Sequence, residues 1–315
     1  RSWRRSQSSV PGTRMSAASC PRFTSAVRRP RFCCTPGAMA TPPALAASAW
    51  PAAAQVPAPP PPPAAAPTAP APRPEERDAQ GKTAFDRRVE EALLKGKIVE
   101  QEALSDGITH PVRLTLRHGG VELRAVYKNV DEETRGATRS TMIEEHFTDR
   151  YVYEVAAYRL DRLLGLGFVP PTVLREVDGK RGSVQYWIED AVSLGEMITA
   201  GRQPRNVERF RVNKISMNVL DALIYNIDRR PVHILIEPAD ESFYLIDHTR
   251  SFRENKDLPP FLVDWDGTLD PALAARLRDL KDDDFRAALE GLVTEKQIKA
   301  LLARRVRLLR KLAEL

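Results

Sequence analysis

Cysteine is absent from residue 35 onward; the 315-residue chain has only Cys20, Cys33 and Cys34. Everything after them carries neither a disulfide framework nor a thiolate-ligated metal site. Lysine, aspartate and glutamate are absent from residues 1–60, which hold eight arginines. The formal net charge of +6 belongs to that stretch, because the remainder holds 40 basic and 42 acidic residues. The part able to fold therefore lacks the basic excess that marks nucleic-acid binding. No run reaches the ~18 apolar residues needed to cross a bilayer, so no membrane span is expected. His110, His118, His146, His233 and His248 show no metal-ligand spacing within a helix.

What is present at the N-terminus is low in complexity. Eleven prolines fall between Pro51 and Pro74, with alanine filling most of the gaps. Such a segment cannot bury enough apolar surface to offset its ordering entropy. Residues 1–82 are accordingly expected to be a disordered Ala/Pro/Arg-rich leader and linker. Two readings of the leader stay open. Arg28-Arg29-Pro30-Arg31, the following apolar residues and the alanines to Ala54 resemble an export signal. Alternatively, arginine without lysine or acid suits translated sequence upstream of a start at Met15 or Met39. Localisation, cytoplasmic or exported, stays open with them.

Residues 83–315 suffice for one large domain or two lobes. Phe85 to Leu94 has helical spacing. Val112–Leu116 and Val121–Lys128 alternate at period two around His118-Gly119-Gly120, which predicts a hairpin. Thr148 is placed to N-cap a helix running to Leu164 and stopped by Gly165-Leu166-Gly167. Phe168–Val173 and Gly182–Ile188 predict two more strands around Asp178-Gly179. Val207–Tyr225 is a long amphipathic helix, and three helical patterns follow, at about 270–279, 282–290 and 295–313. Thr294-Glu295-Lys296-Gln297 opens the last in the manner of a capping box. The expected class is α+β: a β-rich lobe over 83–189 and a mainly α-helical lobe over 190–315.

The chemistry concentrates in two carboxylates. Asp228 lies in Asn226-Ile227-Asp228-Arg229 and Asp247 in Leu245-Ile246-Asp247, 19 residues later, each beside a short apolar run. At the open end of a hairpin such a pair suits phosphoryl transfer from Mg-ATP. One acid accepts the proton of the attacking hydroxyl and the other holds the metal. Lys128 ends a predicted strand, where an ammonium could reach phosphates. Glu154 on the next helix could pair with it. Lysine, glutamate, aspartate and aspartate then stand in the order of a kinase site. The glycine-rich loop expected ahead of them is reduced to Gly107.

Two further motifs compete for attention. Asp264-Trp265-Asp266-Gly267-Thr268 matches the nucleophile motif of haloacid-dehalogenase-type phosphatases. Only 46 residues follow Leu269 and all read as helix, so the required sheet cannot be completed and the motif is expected to be a loop. The basic helix at 295–313 has an apolar stripe (Ile298, Leu301, Leu302, Val306, Leu309) expected to dock on the C-terminal lobe rather than on a membrane.

Glu154–Gly165, Val169–Val173, Gly182–Trp187, Asn226–Arg229 and Leu245–Asp247 together resemble the atypical kinases of the secreted Golgi casein kinase type, with their HipA-like and phosphatidylinositol-kinase-like bacterial relatives. The likeness covers roughly 95–255. It implies a bilobal protein-kinase-like fold that uses ATP and Mg²⁺ or Mn²⁺. Lys128 would sit on the phosphates with Glu154 as its partner. Asp228 would be the general base, Asp247 a metal ligand, and Gln185 to Glu189, including Trp187, the adenine side of the hinge. Five residues after the base, where kinases place a metal-binding Asn, stands His233. Imidazole prefers softer ions than Mg²⁺, which raises Mn²⁺ use or a nucleotide-binding pseudokinase. Nucleotidyl transfer on the same fold is a third reading. The expected partners are a nucleotide and a hydroxyl-bearing acceptor (protein, sugar or lipid), with the chain a monomer or weak oligomer.

Overall fold

Thr83 opens the first helix, α1 (Ala84–Lys95), with a reciprocal cap. Its hydroxyl accepts from the Asp86 amide while the Asp86 carboxylate accepts from the Thr83 amide. This computed structural model describes residues 77–104, 111–135, 138–139, 142–143, 146–262 and 269–313, all within one compact unit, Thr68–Leu315. The leader, Gly107 and the Asp264–Thr268 motif lie outside the described residues.

The sequence pattern gives no sign of β1 (Lys97–Ala103). It is an edge strand exposed at nearly every position, so no alternation betrays it. β1 pairs with β2 (Val112–His118), which returns through Gly119-Gly120 as β3 (Val121–Lys128), the expected hairpin. A second hairpin, also missed, separates β3 from the next helix. In it β4 (Asp131–Arg135) pairs with β7 (His146–Arg150), and β5 (Thr138–Arg139) with β6 (Met142–Ile143). Asp131, Glu132 and Glu133 are exposed, and a strand without an apolar face carries no periodic signal. Thr148 is therefore a buried β7 residue and not a helix cap. The helix α2 (Val152–Leu164) begins after Tyr151 without a side-chain cap and stops at Gly165, where φ is +74°.

β8 (Thr172–Val177) starts later than expected, because Pro170 and Pro171 offer no N–H to a ladder. It turns at Asp178-Gly179 into β9 (Lys180–Tyr186), completing an antiparallel sheet in the order β1-β2-β3-β9-β8. Val126 lies opposite Gln185 and Lys128 opposite Ser183, so these four side chains share one face. Ala125, Tyr127 and Val184 occupy the other face, packed with Val89 and Leu93 of α1.

Beyond the sheet come β10 (Val192–Ser193), α3 (Leu194–Thr199), α4 (Val207–Ile224), β11 (Ile234–Ile236) and β12 (Phe243–Leu245), with β10, β11 and β12 forming a small sheet. The chain closes with α5 (Pro271–Asp279), α6 (Asp282–Leu289) and α7 (Glu295–Ala313). The expected Thr294–Gln297 capping box opens α7. Its buried stripe differs from expectation: Arg304 and Arg305 are buried while Val306 is 49% exposed. Position 304 falls on the Leu301–Leu308 face, and its guanidinium is satisfied by main-chain carbonyls. A second apolar core joins α2 to α4, α5, α6 and α7, so α2 bridges the sheet and the helical half. No helix among the described residues is long and apolar enough to cross a membrane.

Candidate active site

The last turn of α4 sets up the site. Tyr225 follows it in the left-handed region, φ +53°, and reverses the chain. Arg304 donates to the Leu223 carbonyl from Nη2 and Nε, at 2.7 and 3.0 Å, while backbone amides serve the neighbouring carbonyls of Asp221, Ala222 and Ile224. Asn226 then closes a tight loop. Its amide donates to the Asp221 carbonyl at 2.7 Å, and its side-chain oxygen accepts from the Asp228 amide at 3.1 Å.

Arg229 locks that loop to the opposite strand. Its Nε and Nη2 donate to the two Asp221 oxygens, each at 2.9 Å, and its Nη1 donates to the Ile246 carbonyl at 2.6 Å. The residue after Asp228 is thus bonded to the residue before Asp247. β11 and β12 pair through Ile234 opposite Leu245, so both acids stand at the same end of this hairpin. Asp247 itself has φ +63°, a conformation Asp tolerates better than most non-glycine residues.

Lys128 reaches in from β3. Its Nζ lies 2.5 Å from Glu154 Oε1 and 3.0 Å from Asp247 Oδ1. Glu154 is fully buried, and its other oxygen accepts from the His248 amide at 3.2 Å and lies 3.1 Å from His248 Nδ1. Burial alone would neutralise this glutamate, but Lys128 and His248 outweigh burial and hold its carboxyl well below the usual range. Burial likewise opposes the Lys128 charge, yet Glu154 and Asp247 push its ammonium up. Asp247 is held below the usual carboxylate range, Lys128 overcoming the effect of burial.

His233 connects the two acids. Its Nδ1 lies 3.1 Å from the Asp228 carbonyl and its Nε2 3.3 Å from Asp247 Oδ2. Burial pushes its imidazole down, towards the neutral form. A neutral ring donating from Nδ1 to that carbonyl leaves Nε2 an acceptor, which takes a hydrogen bond from Arg230 Nη2 at 3.0 Å beside Asp247, so a metal at Nε2 would have to displace the Arg230 contact. Lys128 balances one of the two carboxylates, Glu154 and Asp247, and the Arg230 guanidinium lies against the His233 ring. The donor set fits a divalent cation. Among the described residues no three His, Cys, Asp or Glu side chains form a complete metal cage, so the other positions would fall to phosphate oxygens and water.

The remaining expected residues are placed apart from this group. Gln185 shares the Lys128 face of the sheet and donates to Thr172 Oγ1 at 3.0 Å. Trp187 lies under the guanidinium groups of Arg124 and Arg113, 5.6 and 5.8 Å from its ring. Glu189 pairs with Arg124, whose Nε donates to it at 2.8 Å. These two arginines, Thr115 and Glu189 border a cavity of about 350 Å³. Gly107 lies outside the described residues. Sequence reasoning missed Asp221, Arg229, His248 and Arg250. Asp221 had a readable signal, an acid within Val219-Leu220-Asp221-Ala222-Leu223 on a buried face.

The fold matches solved structures of atypical kinases. These include the Golgi casein kinase (16% identity, TM-score 0.56, 76% of each chain covered). Hydra Fam20 with sugar matches at 15% identity and TM-score 0.55 over 72% of this chain and 88% of its own. The Golgi casein kinase with Mn/ADP bound matches at 16% and 0.53, over 73% and 76%. No protein-family model and no curated protein matches the chain. The chain has the kinase-like α+β fold that the sequence reading anticipated.

Proposed function

We propose that this protein is an ATP- and divalent-metal-dependent phosphotransferase acting on a hydroxyl acceptor. The observation that carries the reading is the convergence of Lys128, Glu154, Asp247 and His233, from four chain-distant elements, within 3.3 Å contacts. A solved relative in fold holds Mn/ADP, in keeping with this ligand class.

In this reading Lys128 binds the nucleotide phosphates, with Glu154 and Asp247 fixing its ammonium. Asp247 and His233 would hold the divalent cation, which when bound neutralises phosphate charge. Asp228 accepts the proton of the acceptor hydroxyl as its oxygen forms the new bond to the γ-phosphorus. The bond from that phosphorus to the oxygen bridging it to the β-phosphate breaks, and ADP leaves. Gln185, Trp187 and Glu189 take the base side. Rate comes from positioning and charge placement, without a covalent enzyme intermediate.

A catalytically impaired, nucleotide-binding scaffold is the second reading. The ion pair of Arg124 and Glu189 favours it, because it makes the hinge-side wall polar. ADP release from ATP with Mg²⁺ or Mn²⁺ separates the two. An enzyme turns over, and loses turnover in Lys128→Ala, Asp228→Ala and Asp247→Ala. A protein that binds nucleotide yet releases no ADP with either metal is the scaffold.

A further inference from the structure

Asp149 sits near the end of β7, in the hairpin inserted between the Lys128 strand and the Glu154 helix. Its side chain is 3% exposed. The Arg150 amide donates to the Thr249 carbonyl at 2.9 Å, which seats the end of β7 against the segment following Asp247. Arg250, next along that segment, points its fork both ways. Its Nε lies 3.5 Å from Asp149 Oδ2, and its Nη1 donates to Asp228 Oδ2 at 3.2 Å. A buried acid on the inserted hairpin is thereby joined, through one planar guanidinium, to the carboxylate assigned as base.

We propose that Arg250 is a positioning residue for Asp228, held in place by Asp149. Arg250 engages Asp228 Oδ2 at 3.2 Å, while Oδ1 lies 3.8 Å from Arg230 Nε and the Asp228 side chain stays 32% exposed. The guanidinium is rigid and has two edges. It can pair with the buried Asp149, whose Oδ1 has no hydrogen-bond partner among the described residues, and fix the Asp228 rotamer at once, whereas a lysine ammonium on a flexible stem cannot span both. The inserted hairpin thus takes part in the site from behind: if β7 moves, the base loses its orientation while the nucleotide contacts at Lys128 and Asp247 stay in place. The inference rests on the phosphotransferase reading for its catalytic consequence, but not for the geometry.

The test uses the full chain, four single variants (Arg250→Ala, Arg250→Lys, Asp149→Asn and Asp228→Ala) and the double variant Arg250→Ala with Asp228→Ala. With ATP and Mn²⁺ or Mg²⁺, Arg250→Ala and Asp149→Asn should lower kcat by about tenfold or more while KM for ATP stays within about twofold. Arg250→Lys should rescue folding but not kcat. Arg250→Ala combined with Asp228→Ala should be no slower than Asp228→Ala alone, because the two act as one unit. Additive losses, an unchanged kcat in Arg250→Ala, or a matching rise in KM would overturn the inference. Amide hydrogen exchange over residues 226–230 in nucleotide-free protein gives an independent reading. Exchange should rise in Arg250→Ala and Asp149→Asn. Wild-type-like exchange there sinks the positioning role. A wild-type protein that neither binds nor turns over ATP sinks the proposed function instead.

Discussion

Helix α2 carries two buried ion-pair clusters, one at each end, and they differ in what they leave unfinished. At its start Glu154 meets Lys128 and His248. At its end Arg162 donates to Asp86 Oδ1 at 2.8 Å and pairs with its neighbour Asp161, whose oxygens also accept from the Phe168 and Gly167 amides at 2.9 and 3.1 Å. The second cluster is sealed, with side chains at most 5% exposed. The first stays open, with Lys128 15% and Asp247 33% exposed and His233 Nε2 lying between Asp247 and Arg230. Burial and charge pairing are common to both. Each sets one cation against two carboxylates, but only the open cluster reaches solvent, where something from outside can meet its charge. In the other, Arg162 Nε is buried without a hydrogen-bond partner among the described residues. The Arg162 cluster staples α1 to α2, and the Lys128 cluster is the candidate site.

Exchanging damage between the clusters should separate those roles. The largest effect is expected at the open one, where Asp247→Ala should cost turnover about a thousandfold or more with little loss of fold. Arg162→Ala should do the reverse. Stranding Asp86 and Asp161 should lower stability by about 3–5 kcal/mol in urea unfolding, with the turnover of the remaining folded molecules unchanged. A turnover loss in folded Arg162→Ala would erase the distinction. His233→Asn is subtler, and should move metal preference from Mn²⁺ towards Mg²⁺ by roughly tenfold, read as the ratio of rates with the two ions.

The smallest effect is in acid. Burial opposes ionisation of Asp86, but Arg162 and Thr83 outweigh it and hold the carboxyl below its usual range. Its stabilising contribution is therefore present above the unfolded pKa of about 3.9 and lost as pH falls through the lower folded value. Asp161 is shifted up by burial and works in the opposite sense, so wild type alone will not isolate the term. Asp86→Asn should flatten the acid limb of the stability curve relative to wild type.

The open cluster was more legible in the sequence than its surroundings. Lys128, Glu154, Asp228 and Asp247 are unusual residues at the ends of apolar, periodic segments, so pattern and chemistry coincided. β1 and the start of β4 were invisible because strands exposed at nearly every position of Lys97–Ala103 and at Asp131, Glu132 and Glu133 have no inner face to mark. The Thr148 cap failed for the same reason, since a hydroxyl before a helix reads alike whether it caps or lies in a hidden strand. Arg304, Arg229 and Arg250 were missed as positioning groups because arginine on a periodic helix or loop reads as solvated. Their partners are carbonyls and acids from distant segments that spacing does not reveal. The lysine and carboxylates of the candidate site were legible, and the arginines bonded around them were not.

Thermal unfolding with ATP alone, metal alone, and ATP with Mg²⁺ or Mn²⁺ tests the central claim most directly. Ligand at a hundredfold over its dissociation constant should add about 2.7 kcal/mol of stability. The account predicts a rise in Tm that needs both ATP and metal, disappears in Asp247→Ala, and survives in Asp228→Ala. No rise in folded wild-type protein under any of these conditions would contradict it.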